Sequence, residues 1–476
     1  MKSSSWTRRD VLKTGLAALA AAGSRGALWR LPASPATTVV LFQGDSITDC
    51  GRDRASPDPN RAAALGTGYP LLITSAELAA HPESGIKFYN RGVSGNKVPD
   101  LEQRWAADTI ALKPHVKHFL VAVLLALRSG PVQQPWMLGP FEKPADVNPV
   151  ITPNPAARFR SPMTDSVVAW EEYATFNPAA VVKDGKVYVL YRAEDASGPR
   201  RIGGHTSRLG LAESSDGLHF TRRATPVLYP DTDAQRQNEW PGGVEDPRVV
   251  ETDDGTYVLT YTQWNRDVPR LAVATSRDLV SWTKHGPAFA RAAGGKYLRF
   301  ESKSGAILCR SAGDRVIATR VNGKYWMYFG VPDVAVATSD NLVDWTPLED
   351  ADGRVVKVLS PRPGYFDSWL VEGGPPALIT ARGIVVIYNA GNSGAYGDST
   401  LPTRVYTGGQ ALFDPRNPIK LIARSDAPFI KPTRDYEKTG QYPEGTTFVE
   451  GLVPFKGRWF LYYGTADSRV GVAVWD

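Results

Sequence analysis

Glu245 and Asp246 are adjacent carboxylates in the middle of the chain, with a glycine pair before them and a proline–arginine pair after them. Gly242 and Gly243 permit a ligand to approach the backbone closely, and Pro247 favours an extended conformation at Asp246. Because successive side chains of an extended segment point to opposite faces, at most one of these carboxylates is expected to face a given pocket. Alone, the stretch is typical of a surface turn, but the repeats around it favour a catalytic carboxyl.

The composition is that of a globular protein, with 476 residues of which 42% are hydrophobic and 22% charged. This length predicts two domains or one large repeat architecture. The net charge of +6 is dispersed and does not indicate a nucleic-acid partner. The two cysteines, Cys50 and Cys309, lie far apart, so neither a disulfide framework nor a cysteine metal site is expected. The high aromatic content, 10%, suits both strands and sugar binding.

The first residues have the pattern of an export signal. Arg8 and Arg9 precede a short, weakly apolar run over residues 14–23, which is typical of a twin-arginine (Tat) signal. We therefore predict a signal peptide over residues 1–34 and a periplasmic or secreted protein. The run is much shorter than the ~20 residues of a membrane-spanning helix, so no stable membrane insertion is expected. The alternative is an amphipathic start of a cytoplasmic protein.

A second set of residues with chemical potential follows a strand predicted over residues 37–42. Ser46 lies in a Gly-Asp-Ser sequence, and Gly95 lies in the later sequence Asn-Arg-Gly-Val-Ser-Gly-Asn. Residues 37–117 resemble the opening of the SGNH (GDSL) esterases, which implies that Ser46 is a nucleophile and that Gly95 belongs to an oxyanion hole. The Asp-x-x-His block of that family is missing, and with it the base that a serine nucleophile needs.

We therefore predict that residues 35–130 form a truncated, catalytically inactive, partial α/β segment of the SGNH type. Residues 131–162 are rich in proline and are predicted to form a linker. The alternative is an esterase that uses His115 or His118 as the base for Ser46.

Residues 163–476 contain a repeated pattern. A strand rich in tyrosine and valine follows a glycine-containing turn in five places, at residues 186–192, 256–261, 324–328, 384–388 and 459–463. Three of these strands are followed by a second shared unit, which begins at residues 209, 271 and 334. Strands repeated at this spacing predict an all-β, five-bladed β-propeller, in which residues 470–474 close the ring by pairing with the first blade. A β-sandwich is the alternative, but it explains the constant spacing poorly.

The innermost strands of a propeller converge on its axis, so polar residues at the ends of these strands meet although they are distant in sequence. Recurrence at equivalent points of successive repeats selects the candidates Asn177, Arg192, Arg208, Asp246, Arg248, Trp264, Lys303, Glu372, Asn389 and Asp467. Each of these side chains alone could equally be solvated or paired for structural reasons.

The repeats resemble glycoside hydrolase family 130, the mannoside phosphorylases and β-mannosidases, which are five-bladed propellers. The matching motifs lie at residues 176–180, 191–195, 207–212, 245–248, 261–265 and 462–467. The resemblance implies that Asp246 is the general acid and that a mannose-containing oligosaccharide is the substrate. The residues expected to hold the substrate are Asn177, Arg192, Arg208 and Asp467 around the cleaved mannose, together with Arg248, Trp264, Lys303 and Asn389.

The family divides according to its nucleophile. Phosphorylases need a basic cluster for the phosphate dianion, whereas hydrolases need a carboxylate that activates water. The phosphorylases have a histidine at the position of Asn389 and a histidine–arginine pair at the positions of Phe329 and Gly330, so two cationic anchors are missing here. Residues 371–376 look like the hydrolase branch, and we predict Glu372 as the base. The alternative is that Glu372 pairs with an arginine in a rigid loop.

These residues predict an exported, inverting β-mannosidase that acts on β-1,2-linked mannosides without a cofactor or a metal. Asp246 protonates the departing oxygen, and Glu372 activates water on the opposite face of the sugar. The β-1,2-mannosidases of the family carry a second acidic residue near the position where this chain has Asp333, which either substitutes for that residue or marks a different specificity.

Three alternatives stay open. The first is a mannoside phosphorylase that binds phosphate through Lys303, Arg310 or Lys324. The second is a non-catalytic, sugar-binding propeller, and the third is the esterase that would act through Ser46.

Overall fold

The computed structural model describes residues 38–96, 98–112, 116–120 and 134–476. The chain divides into two compact units, Met1–Ser129 and Gly130–Asp476, and each is described by itself. The predicted signal peptide, residues 1–34, lies outside the described residues. Within the described ranges, no helix has the length and apolarity needed to cross a membrane.

The first unit is built on a parallel sheet with the strand order β2-β1-β3, formed by β1 (Val39–Gly44), β2 (Lys87–Asn90) and β3 (Val116–Leu120). Its helices are α1 (Ser46–Asp49), α2 (Ala62–Leu65), α3 (Tyr69–Ala80) and α4 (Val98–Gln103), followed by a π-helix over Ala106–Ile110. Phe42 of the central strand packs against Phe88 and Tyr69, with ring centroids 6.1 and 5.6 Å away. The apolar run of β1 is buried, as a central parallel strand requires.

Ser46 begins α1 directly after the central strand, and its side chain is exposed. Asp49, at the end of the same helix, accepts hydrogen bonds from the amide and the hydroxyl of Ser94 at 2.8 and 2.7 Å. These bonds tie the serine turn to the loop before α4. His115 and the side chain of His118, the alternative bases for Ser46, lie outside what the structure describes.

The second unit consists mainly of strands in successive antiparallel groups. A hairpin of β4 (Phe159–Ser161) and β5 (Ser166–Val168) precedes the group β6 (Ala174–Lys183), β7 (Lys186–Glu194), β8 (Ser207–Ser214) and β9 (Thr221–Arg222). A short helix, α5 (Arg236–Glu239), leads into β10 (Gly243–Glu251), β11 (Tyr257–Trp264), β12 (Pro269–Ser276) and β13 (Thr283–Pro287).

The remaining groups follow in the same way. A 3₁₀ helix over Ala292–Gly295 precedes β14 (Ala306–Ala312), β15 (Arg315–Ala318), β16 (Arg320–Val321), β17 (Lys324–Phe329), β18 (Val334–Ser339), β19 (Trp345–Pro347) and β20 (Lys357–Leu359). Next come β21 (Leu370–Gly373), β22 (Ala377–Thr380), β23 (Gly383–Gly391), β24 (Tyr406–Asp414) and β25 (Asn417–Arg424). A 3₁₀ helix over Asp435–Glu437 precedes β26 (Thr447–Phe455), β27 (Arg458–Thr465) and β28 (Arg469–Trp475). The tyrosine-rich strands of the sequence pattern are β7, β11, β17, β23 and β27, and the number of blades stays a prediction.

The last strand pairs differently from the sequence-based expectation. One edge of β28 pairs with β27, and on its other edge Val474 and Val470 form antiparallel bridges to Glu142 and Ile151. The prediction that residues 470–474 pair with the first blade is therefore wrong. The proline-rich stretch lacks the N–H groups for a continuous ladder, but isolated bridges from its other residues are enough to cover the strand edge.

A tyrosine on the second strand of most groups donates a hydrogen bond to a buried carboxylate. The pairs are Tyr191 and Glu171 at 2.7 Å, Tyr261 and Glu239 at 2.9 Å, Tyr388 and Asp367 at 2.8 Å, and Tyr463 and Glu437 at 2.8 Å. A cation balances each carboxylate, in the same order Arg222, Lys284, Arg424 and Lys143, at 3.4, 2.5, 2.6 and 2.5 Å. In the group of β17, Tyr328 donates instead to the carbonyl of Pro418 at 2.8 Å. The tyrosine repeat of the sequence is therefore the donor of a repeated structural bond.

Glycine faces three of these rings on the neighbouring strand. A β-carbon at Gly210 would lie 2.3 Å from a ring atom of Tyr191, and one at Gly409 would lie 2.3 Å from Tyr388. A β-carbon at Gly471 would lie 2.7 Å from Tyr463, so glycines on β8, β24 and β28 make room for the tyrosine rings of the adjacent strands.

Replacing Tyr261 by Phe should lower the free energy of unfolding by about 1.5–3 kcal/mol, because the lost hydrogen bond ends on an ion-paired carboxylate. The matched control is Tyr328→Phe, since that buried hydroxyl donates to a neutral carbonyl, and its loss should cost about 0.5–1.5 kcal/mol. Urea unfolding followed by tryptophan fluorescence measures both variants. Equal losses would show that the carboxylates add nothing to these bonds.

Candidate active site

The antiparallel ladders are interrupted at three acidic or amide side chains. The pairing of β6 with β7 skips Asn177, that of β10 with β11 skips Asp246, and that of β26 with β27 skips Glu450. Asn177 and Asp246 have positive φ angles of 46° and 48°, which asparagine and aspartate adopt more readily than most residues. A bulge bends the strand and re-aims the side chain that it carries, so these interruptions set the direction of the candidate residues.

The bulge in β10 overturns the expectation that Glu245 and Asp246 face opposite sides. Arg192 of β7 donates to both, with its Nη1 3.1 Å from Asp246 Oδ1 and its Nη2 2.8 Å from Glu245 Oε1. Nη2 also contacts Glu194 at 2.7 Å, and Nε donates to Ser207 at 3.0 Å. The alternation of a regular strand fails here because the bulge rotates the chain between the two carboxylates.

Adjacent carboxyls acquire opposite pKa shifts in this cluster. Burial by itself raises the pKa of Asp246, but the charges of Arg192 and Lys303 and a 2.8 Å hydrogen bond from Asn177 outweigh burial and lower this pKa to about 2. At Glu245, burial outweighs the charge of Arg192 and raises the pKa to about 7. The proton of this pair therefore resides on Glu245 rather than on Asp246, and Glu245 titrates close to neutral pH.

Asp467, which follows β27, belongs to the same neighbourhood. Burial raises its pKa to about 7, against the opposing charge of Arg192. Among the described residues, Asn177 Oδ1 has no hydrogen-bond partner, and the two bonds that Asp246 accepts both end on Oδ1. Unused acceptors of this kind suit a ligand that brings hydroxyl donors.

Arg248 is a structural clasp rather than a substrate ligand. Its Nε donates to the carbonyl of Gly374 at 3.0 Å and its Nη2 to that of Gly373 at 2.6 Å, while Nη1 lies 3.0 Å from the Asp246 carbonyl. Nη1 also pairs with Glu450 at 2.9 Å, and only 1% of the Arg248 side chain is exposed. The guanidinium thereby holds the backbone on either side of the site, next to Asp246 and next to Glu372.

Glu450 is a member of the cluster that the sequence analysis did not select. It is fully buried, and burial raises its pKa well above the usual range even though it faces Arg248. Its Oε2 has no hydrogen-bond partner among the described residues. No motif given above marked it, and its place in the cluster follows from the bulge in β26 and from its pairing with Arg248.

Glu372 lies on β21, where only 1% of its side chain is exposed. Lys303 pairs with its Oε1 at 3.0 Å, and the Ser304 hydroxyl donates to the same oxygen. The partner is thus a lysine, not the arginine of the alternative interpretation. The charges of Glu372, Asp246 and Glu245 together raise the pKa of Lys303, which shows that Lys303 also lies close to Asp246 and Glu245.

A cleft of about 280 Å³, here the Trp264 cleft, opens beside these groups. It is lined by Gly203, Glu245, Thr262, Trp264, Pro269, Glu301, Ser302, Lys303 and Val331. The indole of Trp264 donates to the Gly203 carbonyl at 2.8 Å, which fixes the ring at the wall. Glu301 is exposed, and the described residues form no ion pair or hydrogen bond with its carboxylate; the sequence analysis missed it because no repeat or motif marks it.

Two predicted substrate ligands are occupied by protein partners. Arg208 pairs with Asp195 at 2.7 Å. Asn389 exchanges hydrogen bonds with the backbone of Val449, donating to its carbonyl at 3.1 Å and accepting from its amide at 2.7 Å. Asp333 pairs with Lys357 at 2.7 Å. The structure thus gathers Asn177, Arg192, Asp246, Lys303, Glu372 and Asp467 around one site and uses Arg248 and Asn389 as struts.

A buried pair of carboxyls beside an aromatic cleft is typical of enzymes that cleave glycosidic bonds. The family model described as "Glyco_hydro_130: beta-1,4-mannooligosaccharide phosphorylase" matches residues 147–476, and the chain belongs to glycoside hydrolase family 130. A 1,2-β-oligomannan phosphorylase of Thermoanaerobacter sp. is 31% identical over 64% of this chain and 90% of its own length. A solved structure described among glycoside hydrolases of this family that target β-1,2-mannosidic linkages in Candida mannan is 53% identical, with a TM-score of 0.72, over 73% of this chain and 97% of its own.

The N-terminal segment matches a different protein. An acetylxylan esterase of Geobacillus stearothermophilus is 45% identical over 84 residues, which are 18% of this chain and 38% of the esterase. The resemblance to the SGNH (GDSL) esterases is thereby confirmed for a fragment. In the described part of the chain, no group of His, Cys, Asp and Glu side chains is arranged to hold a metal ion.

Replacing Arg248 by Lys should lower the free energy of unfolding by at least about 2 kcal/mol, because the three donors of a compact ammonium cannot reach the four groups that the guanidinium fork binds, and each buried carbonyl without a donor costs about 1–3 kcal/mol. Loosening the backbone beside Glu372 should also reduce kcat about ten- to hundred-fold. Urea unfolding and steady-state kinetics measure the two effects. The control is Arg277→Lys, an exposed arginine paired with Asp254, which should change stability by no more than about 0.5 kcal/mol.

Proposed function

We propose that this protein is an exported, inverting β-mannosidase that hydrolyses β-1,2-linked mannosides, and that its antiparallel groups are the five blades of a propeller. The proposal rests on the charges of the site. Three cations, Arg192, Arg248 and Lys303, face a larger number of carboxylates, and each cation is already in an ion pair with at least one of them. A phosphate dianion needs uncommitted cations, whereas a neutral sugar does not.

The cations proposed for a phosphorylase do not converge. Arg310 and Lys324 lie at the ends of β14 and β17 that are remote from Lys303, roughly 20 Å away at the ~3.3 Å rise of a strand residue. They pair with Asp253 at 2.5 Å and with Asp340 at 2.6 Å. Phosphorolysis stays the second candidate because the family description and the relative at 31% identity carry that activity in their names. The relative at 53% identity supports hydrolysis.

Donation of a proton to the departing oxygen is assigned to Asp246, whose titration is coupled to that of a neighbouring group. Asp246 by itself is ionised at neutral pH, since its pKa is about 2. A sugar that covers Oδ2 excludes water from this carboxylate, and burial favours the protonated form of a carboxyl. Glu245 binds the same Arg192 guanidinium and has a pKa of about 7, so it is the proton-bearing carboxyl of the pair close to neutral pH. Asp246 would then protonate the departing oxygen, either directly or through a sugar hydroxyl.

Two carboxylates compete for the activation of water. Glu372, the candidate from the sequence, has Oε1 bound by Lys303 and Ser304 and is almost fully buried. Glu301 lines the Trp264 cleft with a free, exposed carboxylate. A general base must reach both water and substrate, so the geometry favours Glu301 as the base and Glu372 as the residue that positions Lys303.

Purified protein incubated with β-1,2-mannobiose should release mannose at the same rate with and without inorganic phosphate. Asp246→Asn should reduce kcat by about 10²–10⁴-fold, the usual contribution of a general acid. Chromatography of the products and NMR of the first-formed anomer measure the outcome. Mannose 1-phosphate formed only when phosphate is present would overturn the proposal in favour of the phosphorylase.

Glu301→Gln should reduce kcat by about 10²-fold or more and abolish the acidic limb of the pH profile of kcat/KM, because the base is then missing. Glu372→Gln should chiefly raise KM, since it releases Lys303. The reverse pattern, with Glu301→Gln close to wild type, would assign the base to Glu372. The tyrosine and tryptophan fluorescence of both variants controls for folding.

A further inference from the structure

A second and larger cleft, of about 490 Å³, lies outside the candidate active site. Its walls include Tyr229, Asp231, Asp233, Gln235, Trp282 and Lys284, none of which lines the Trp264 cleft. The end of β11 contacts both clefts. Gln263 of that strand donates to Gln235, which lines the larger cleft, at 3.2 Å, and the next residue, Trp264, lines the smaller one. The larger space is called the Trp282 cleft below.

The floor of the Trp282 cleft is held by Lys284. Its Nζ contacts Glu239 at 2.5 Å, the Tyr229 carbonyl at 2.7 Å and Asp233 at 3.0 Å. Two of these contacts are hydrogen bonds and the third is an ion pair with Asp233. The charge of Lys284 is therefore already balanced by two carboxylates, which does not favour an anionic ligand.

Trp282 presents an apolar ring to this space. Its indole N–H is satisfied by the Leu279 carbonyl at 3.0 Å, and the ring is half-buried. The equivalent residue of the next repeat, Trp345, makes the same bond to Leu342 at 3.0 Å but is only 1% exposed. The repeat thus explains the presence of the tryptophan and its hydrogen bond, but it does not explain why the ring of Trp282 is exposed to the cleft.

The polar groups beside this ring are mainly acceptors. Within the part of the chain that the structure describes, Asp231 accepts hydrogen bonds only from its neighbour Thr232, at 2.7 and 3.4 Å, and Asp233 lies on the same wall. A fitting ligand must therefore donate hydrogen bonds and also offer a flat apolar face to the indole. A pyranose does both, because its hydroxyls donate and the C–H groups on one face of the ring are apolar.

We propose that the Trp282 cleft is a second saccharide-binding site, which holds mannooligosaccharide at a distance from the point of cleavage. This inference rests on the proposed function for the identity of the sugar. Its consequence is that long substrates gain affinity from a second contact, whereas β-1,2-mannobiose does not, since simultaneous binding at two linked sites raises the apparent affinity.

Calorimetric titration of the Asp246→Asn variant with β-1,2-mannobiose, which occupies one cleft at a time, avoids cleavage and should detect two binding sites per chain. Adding Trp282→Ala should remove one site or weaken it about ten-fold or more. Adding Asp231→Ala should weaken the same site, and this variant keeps the test decisive if loss of the indole impairs folding. The matched control is Trp326→Ala, a half-buried tryptophan whose N–H also donates to a backbone carbonyl at 3.0 Å, and it should leave both sites intact.

In the otherwise wild-type enzyme, Trp282→Ala should leave the cleavage of β-1,2-mannobiose within about two-fold while raising KM for the long substrate about five- to ten-fold. Unchanged stoichiometry, affinity and KM in both the Trp282 and the Asp231 variants would overturn the second site. Failure of the wild-type enzyme to cleave mannobiose would instead contradict the proposed function. The titration reports on binding alone, so the two failures are distinguishable.

Discussion

A buried guanidinium organises this protein. Arg248 is held by two glycine carbonyls after Glu372, by the carbonyl of Asp246 and by the carboxylate of Glu450. A charge taken out of water is tolerated only when it is paired and its donors are satisfied, and here these partners come from three strands that are distant in sequence. The same contacts that stabilise Arg248 therefore set the positions of the carboxyl groups of the candidate active site.

The second constraint is electrostatic. Carboxylates outnumber cations around the site, so each cation is paired with a carboxylate of the protein. The carboxyl groups differ in pKa because these pairings are unequal. Asp246 is ionised because Arg192 and Lys303 outweigh burial, whereas at Glu245 burial wins. Such a site repels anions and accepts hydroxyl groups, and this selectivity supports a sugar as ligand and water as nucleophile.

Repeated hydrogen bonds stabilise the regular strands of this fold, whereas bulges in three strands direct the side chains of the candidate site. The tyrosine–carboxylate–cation bonds recur in most groups and hold the second strands in place, as between Tyr191 and Glu171. The bulges at Asn177, Asp246 and Glu450 break the ladders where the chemistry is expected. A regular strand would turn alternate side chains away, so function is found where the pattern of the strand fails.

Much of the architecture could be predicted from the sequence, because strands reveal themselves locally through alternation, turn residues and spacing. The all-β repeats, the repeated tyrosine and the grouping of Asn177, Arg192 and Asp246 follow from such local signals. The shared guanidinium of Glu245 and Asp246 could not be predicted, because a one-residue register shift leaves no trace in the composition of the segment.

The sequence by itself determined which residue types were present and how often they recurred. Only the tertiary structure decided that Arg248 and Asn389 are struts, that Glu301 and Glu450 belong to the site, and that residues 142–151 cover the last strand. These assignments depend on contacts between groups far apart along the chain. Such contacts follow from packing in three dimensions and not from the neighbours of a residue in sequence.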